Sequence, residues 1–153
     1  LGDHFIWGKV TLFDIGAKVP FIVRAPGLSK SGTNSEAMVE LIDIYPTLTD
    51  LAGLKAPGHL QGSSLRPLLS NPDRPGKKKY AYSVVTRGPK NLGYALRNQN
   101  WRYGKWPDGE ELYNLRNDPQ EKNNLAQKEH VKKRLEEFRK ILAEKQKNLK
   151  EGN

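Results

Sequence analysis

Apolar and polar positions change their rhythm several times along the chain, and each rhythm predicts a different element. Over residues 1 to 18 the two kinds mix without a period, and Gly2, Gly8 and Gly16 interrupt any long helix, so a loop with room for one short helical turn is expected. Val19 to Val23 is a β-branched and aromatic run closed by Ala25-Pro26-Gly27, the pattern of a strand buried on both faces of a parallel or mixed sheet. A Ser- and Gly-rich loop follows. Ile44, Leu48 and Leu51 then fall at i, i+4 and i+7, with Asp43 placed to cap a helix, Pro46 in its first turn and Gly53 set to close it in a left-handed conformation.

Residues 55 to 79 hold four of the ten prolines, three glycines and the run Lys77-Lys78-Lys79, which predicts a surface connection with Leu65 to Leu69 turned inward. Beyond it, Tyr80 to Thr86, Gly93 to Arg97, Trp101 to Trp106 and Glu111 to Leu115 are short runs separated by Gly, Asn, Asp and Pro, the spacing of an antiparallel meander. From Glu129 to Lys150 the residues Val131, Leu135, Phe138, Leu142 and Leu149 form one stripe, while Glu129/Lys133 and Glu136/Lys140 are i, i+4 pairs. A helix over 129–150 packed across one sheet face is expected. The pattern divides the chain into an α/β part over 1–75 and a small subdomain over 76–153, and makes it α+β when taken alone.

Composition narrows this picture only slightly. A chain of 153 residues, 36% hydrophobic, can bury one modest core, or the tail of a larger core plus a small subdomain. A net charge of +9 attracts phosphate, sulfate or an anionic polymer. The lack of cysteine excludes a disulfide frame, a Cys-based zinc site and a thiol nucleophile. No signal peptide or membrane span is visible, and because the chain starts inside a motif, its N-terminal context is expected to lie further upstream.

The motifs decide more. Leu1-Gly2-Asp3-His4-Phe5-Ile6-Trp7-Gly8-Lys9, followed by Val19-Pro20-Phe21-Ile22-Val23-Arg24-Ala25-Pro26-Gly27, resembles the late catalytic-domain block of sulfatases. Ile42-Asp43-Ile44-Tyr45-Pro46-Thr47-Leu48 with Leu51-Ala52-Gly53-Leu54 is similar to the family's helix beside the sheet. Glu111-Leu112-Tyr113-Asn114-Leu115, Asn117-Asp118-Pro119-Gln120-Glu121 and Asn124-Leu125-Ala126 resemble its late strand-and-turn signature. Each word alone is weak, but together they run in the family's order from residue 1 to about 126. The resemblance is to type I, formylglycine-dependent sulfatases, including iduronate-2-sulfatase-like and related glycan sulfatases.

That resemblance implies an α/β fold of the alkaline-phosphatase type with a smaller C-terminal part of antiparallel strands and a helix. It implies hydrolysis of sulfate esters, with a sulfated small molecule or glycan as substrate and the rest of the sulfatase chain as partner. No nucleic-acid or membrane partner is implied, and periplasmic, secreted or lysosomal location is suggested. In the family pattern Gly-Glu/Asp-His-Gly-x-Trp-x-Lys the final lysine contacts the substrate sulfate, and Lys9 matches it; His4 matches the histidine. Chemically, an ammonium held close in a dry pocket stabilises charge developing on the sulfate oxygens. Phe5 stands where the pattern has glycine.

Asp3-His4 also spells the metal-binding pair of these enzymes, but its neighbours align it with the later word. The Ca²⁺ ligands and the nucleophile are therefore expected upstream of Leu1, with no metal ligand within this chain. Ser70-Asn71-Pro72-Asp73-Arg74 formally matches the serine version of the formylglycine word, yet it lacks the downstream Thr-Gly-Arg and belongs to a segment resembling the family's post-catalytic stretch. Trp101-Arg102-Tyr103 and Trp106 suit either a sugar-stacking site, with Trp101 as the candidate, or plain sheet-face packing. Hydrolysis of phosphate or phosphonate esters on the same superfold is the alternative within this class. A basic anion- or nucleic-acid-binding module, suggested by the net charge and Lys77 to Lys79, is the alternative outside it.

Overall fold

The computed structural model describes residues 2–8, 10–89 and 91–151. In chain order its helices are α1 (Asp14–Ala17), α2 (Ile44–Leu51), α3 (Arg66–Ser70) and α4 (Lys132–Glu151), and its strands are β1 (Ala81–Thr86), β2 (Leu92–Arg97), β3 (Trp101–Trp106) and β4 (Gly109–Asn114). The chain forms two compact units, Leu1–Val19 with Tyr82–Asn153, and Pro20–Ala81. The N-terminal segment thus belongs with the later strands rather than with the residues that immediately follow it.

The first unit is built on the expected meander. Its four strands lie in the order β1-β2-β3-β4, so short loops suffice and no crossover is needed. Registers such as Leu96↔Tyr103 and Tyr103↔Leu112 put these three side chains on one face. That face carries the core, for Leu96, Tyr103 and Leu112 are buried, as are Val131, Leu135, Phe138 and Leu142 of the final helical segment. The Phe138 ring meets Tyr103 at 5.8 Å between centroids. The ion pairs differ from expectation, since Glu129, in the 3-10 turn Glu129–Val131 that leads into α4, pairs with Lys132, and Arg134 pairs with Glu137, both at i, i+3. Both spacings place side chains on neighbouring helix positions, and the three-residue one brings these particular termini together.

The second unit departs from the pattern in two places. Val19–Val23 forms no strand, and Val19, Phe21 and Ile22 are exposed, Ile22 by 90%. A strand buried on both faces needs a neighbour on each edge to satisfy its backbone groups, and no described residue pairs with this run.

Helix α2 forms where expected and Gly53 closes it at φ 70°, but the buried side is Pro46 and Thr47 rather than the Leu48 stripe. Nor does Asp43 cap the helix. Its buried carboxylate instead accepts N–H groups of Glu40 at 2.9 Å and Ser63 at 2.8 Å and the Lys78 ammonium at 2.7 Å, while Lys78 also pairs with Glu40. A buried carboxylate demands such partners, and Lys78 supplies the charge. Gly62 runs close beside this site, where a β-carbon would lie 2.0 Å from the Ile42 carbonyl oxygen.

Candidate active-site face

The segment that carries the sulfatase-like motif is folded by local hydrogen bonds into a tight turn. Gly2 takes φ 98°, Phe5 N–H donates to the Gly2 carbonyl at 3.1 Å, and Ile6 N–H donates to Asp3 at 3.0 Å. Two consecutive non-glycine residues, His4 at φ 52° and Phe5 at φ 57°, sit in the left-handed region. An L-residue there is strained, and strain of this kind persists only where surrounding contacts hold it. For His4 the contact is visible, since its ring stacks on Phe13 at 3.7 Å with the planes only 6° apart. Phe5 is 98% exposed and has no such support. Its position explains why a glycine suits that point of the motif.

Phe13 links His4 to the sheet. Its ring meets Tyr113 edge-on at 5.9 Å, and the Arg102 guanidinium lies over both rings, at 4.5 Å from Phe13 and 4.8 Å from Tyr113. Arg102 is 1% exposed and pairs with Glu121 through Nε and with Glu111 through Nη2 at 3.0 Å. Its Nη1 alone has no hydrogen-bond partner. Glu121, itself buried at φ 56°, also accepts the Asp14 N–H at 2.7 Å, and the Asp14 carboxylate pairs with Arg97 at 3.1 Å. This chain of charges ties the motif segment, β2, β3 and the turn after β4 into one piece. Burial, with the nearby Glu111 carboxylate adding to it, pushes the Tyr113 hydroxyl up to about 12.

The candidate residues separate clearly on this scaffold. His4 lies on the sheet face that Arg102 and Tyr113 share. Trp101 alternates with Arg102 along β3 and so points to the other face, where Arg134 of α4 stands over its ring at 5.7 Å. The structure therefore does not bring His4 and Trp101 together. Lys9 lies outside the described residues. Arg102 and Tyr103, grouped with Trp101 by sequence, are buried and serve sheet packing rather than a sugar surface. Ser70 ends α3, its hydroxyl donating to the Pro67 carbonyl at 3.1 Å.

Among the described residues no three His, Cys, Asp or Glu side chains converge to hold a metal ion, so this chain's described residues do not fit a calcium site. No described helix is long and apolar enough to cross a membrane. Lys78, taken from the sequence as part of a free basic run, spends its charge on Asp43 and Glu40, which weakens the case for a nucleic-acid surface there. The residues that sequence reasoning missed are Asp14, Arg97 and Glu121. Their partners lie 83 and 107 positions away from Asp14, so no local pattern in the sequence gives them until the fold brings them together.

Comparison with known proteins meets this geometry at the motif segment, the meander and the final helix alike. The family model described as N-sulphoglucosamine sulphohydrolase, C-terminal, matches residues 2–148. An N-acetylglucosamine-6-O-sulfatase of Bacteroides thetaiotaomicron is 30% identical over 162 residues, covering 100% of this chain and 29% of the relative. Arylsulfatase K of Homo sapiens is 33% identical, covering 82% of this chain and 25% of the relative. The chain thus spans less than a third of the length of these two relatives.

Among solved structures, one described as in complex with its substrate D-glucosamine-2-N,6-O-disulfate superimposes with a TM-score of 0.78 at 31% identity, covering 85% of this chain and 28% of that one. The phosphonate monoester hydrolase of Silicibacter pomeroyi gives the same TM-score at 26% identity, covering 93% and 31%. The fold is that of alkaline-phosphatase-like sulfatases, and this chain carries a small antiparallel sheet with a C-terminal helix. A match over nearly every residue makes the chain a member of the sulfatases, in the N-sulphoglucosamine sulphohydrolase C-terminal family.

Proposed function

We propose that this chain is the C-terminal part of an enzyme that hydrolyses sulfate esters of sulfated glycans, with water cleaving the ester to an alcohol and inorganic sulfate. The observation that carries the reading is the family match over residues 2–148. It is supported by relatives named for N-acetylglucosamine-6-O-sulfate and ulvan chemistry and by a structural neighbour bound to a glucosamine disulfate. In this reading Lys9 donates to the sulfate oxygens and His4 lies beside the substrate, held by the Phe13 stack. The formylglycine nucleophile and the Ca²⁺ ligands belong to the part of the enzyme that this chain does not include.

The test is sulfate release by the full-length protein from D-glucosamine-6-O-sulfate, D-glucosamine-2-N,6-O-disulfate and ulvan oligosaccharides, beside a phosphonate monoester. The phosphonate reading has one observation in its favour, the Silicibacter pomeroyi neighbour, and faster turnover of the phosphonate would establish it instead. Lys9→Ala is expected to lower kcat/KM by roughly a hundredfold or more, the effect of removing one well-placed donor to developing charge. Lys9→Arg is not expected to restore it, because a planar guanidinium does not fill the place of a compact ammonium. Ser70→Ala should leave the rate almost untouched, and full activity after Lys9→Ala would remove the assigned role of that residue.

A further inference from the structure

Most arginines of the first unit are committed to carboxylates. Arg97 pairs with Asp14, Arg102 with Glu111 and Glu121, Arg134 with Glu137, and Arg139 with Glu110. Arg87 is different. It stands exposed at the tip of the β1–β2 hairpin, beside Gly88 at φ 85°, and among the described residues no carboxylate pairs with it. An exposed arginine without an ion-pair partner normally sweeps through many rotamers. This one is held on two sides.

The first support is Trp106. Its indole lies against Gly93 of β2, so close that a β-carbon there would sit 2.5 Å from the ring, and the Arg87 guanidinium is 4.9 Å from the ring centroid. The ring that lies against Gly93 thus also serves as a shelf for the guanidinium. The second support is backbone, since Arg87 Nε and Nη2 both donate to the Val10 carbonyl, at 3.4 and 3.3 Å. Val10 directly follows Lys9. The remaining N–H groups of the fork, on Nη1 and the second hydrogen of Nη2, have no described acceptor, and a planar fork with free donors matches the oxygens of a tetrahedral or carboxylate anion.

We propose that Arg87, held against the motif segment through the Val10 carbonyl, is a substrate-binding residue that receives an anionic group of the substrate other than the sulfate that is cleaved, and that Trp106 is the residue that positions it. The inference rests on the sulfatase reading. The ligand class is a sugar carrying two anionic substituents, a doubly sulfated amino sugar being the committed case. The structural reason is preorganisation: a guanidinium already fixed by an indole and a carbonyl loses little freedom on binding, so its charge is available for discrimination between substrates. Selectivity follows, because a substrate lacking the second anion leaves the fork solvated at no gain.

The experiment uses the full-length enzyme with D-glucosamine-2-N,6-O-disulfate and D-glucosamine-6-O-sulfate, and measures KM and kcat separately. Arg87→Ala is expected to reduce the preference for the disulfate, expressed as the ratio of the two kcat/KM values, by about tenfold or more, with the loss in KM rather than kcat. Arg87→Gln, which keeps an amide donor near the Val10 carbonyl but no charge, should lose the preference as well. Arg87→Lys should recover part of it. Trp106→Phe should weaken it less than Arg87→Ala does, since a smaller ring still offers a face.

Equal losses on both substrates, or a loss confined to kcat or to melting temperature, would overturn the proposal by making Arg87 a clamp between hairpin and motif segment. An unaltered preference in Arg87→Ala would overturn it too. The two levels of inference come apart in the wild type. A protein that cleaves sulfate esters without any preference for the disulfate removes only the role of Arg87, whereas one that cleaves no sulfate ester removes the sulfatase reading and this inference with it.

Discussion

At the scale of single residues, the motif segment shows a local conflict between side chain and backbone. Phe5 occupies φ 57° with its ring 98% exposed, so it bears the cost of a left-handed L-residue without visible packing in return. That cost is about 1–2 kcal/mol, and glycine gives part of the gain back through its greater freedom when unfolded. Phe5→Gly is therefore expected to raise stability by about 0.5–1 kcal/mol, read as a higher urea midpoint with the slope unchanged. A lowered midpoint would mean that the phenyl ring makes a contact that outweighs the strain. Other parts of the candidate site were legible to different degrees. His4 and Lys9 could be named because an ordered set of words surrounds them. The charges that hold the His4 stack in place, Asp14, Arg97, Arg102 and Glu121, lie up to 107 positions apart, and only the strand register brings them together. Likewise Lys78 reads as one of three solvated lysines until Asp43 is seen to be buried beneath it.

At the scale of elements, the final helix and the sheet face stabilise each other. An amphipathic helix of 20 residues whose outer side mixes acidic and basic side chains has little reason to stay formed alone, and its apolar stripe must be buried. Phe138 and Tyr103 are both 0% exposed and meet at the centre of that contact. Around them a polar clasp forms, in which Glu110 of β4 accepts hydrogen bonds from Arg139 of α4 and from the Tyr103 hydroxyl at 2.6 Å. Phe138→Ala is expected to cost about 3–5 kcal/mol, the range for removing a fully buried ring, and hydrogen exchange should then quicken in α4 and β3 together. An unchanged denaturation midpoint would show the helix to be loosely attached. This half of the fold was legible because its information is local: strand period, turn residues and helical stripe all lie within a few positions of one another. Val19–Val23 was read as a buried strand because its composition is that of one, yet a strand is a property of a pair, and no described neighbour pairs with it. For α2 the helix was legible and its buried face was not, since Pro46 and Thr47 are buried, Thr47 donating to the Asp43 carbonyl, whereas the apolar Leu48 stays exposed.

At the scale of the whole molecule, stability should follow pH through groups on both sides of neutrality. On the acid side, the hydrogen bond from Arg139 holds the Glu110 carboxyl below its usual range, with the Tyr103 hydroxyl adding to the effect and burial opposing it. A carboxyl with a depressed folded-state pKa stabilises the fold above its unfolded value near 4 and loses that contribution as pH falls through the folded value. As the 17 Asp and Glu side chains protonate together at low pH, the 26 Lys and Arg charges lose their counter-charges, which adds self-repulsion in the same direction. On the alkaline side, burial pushes the hydroxyls of Tyr82 and Tyr113 up to about 12, with Tyr94 and Glu111 contributing respectively, and burial raises Tyr103 further still. A phenol raised in the folded state contributes stability that is complete below the unfolded pKa of about 10 and is lost as pH rises from there through the folded value. The urea midpoint is therefore expected to hold a plateau from about pH 5 to about pH 9.5, falling below it as Glu110 protonates and above it as the buried tyrosines ionise. Tyrosinate absorbance should appear late, and in step with the alkaline loss of helix signal. Early titration of all six tyrosines with the fold intact would contradict the burial of Tyr103 and Tyr113, and with it the packing that joins the motif segment to the sheet.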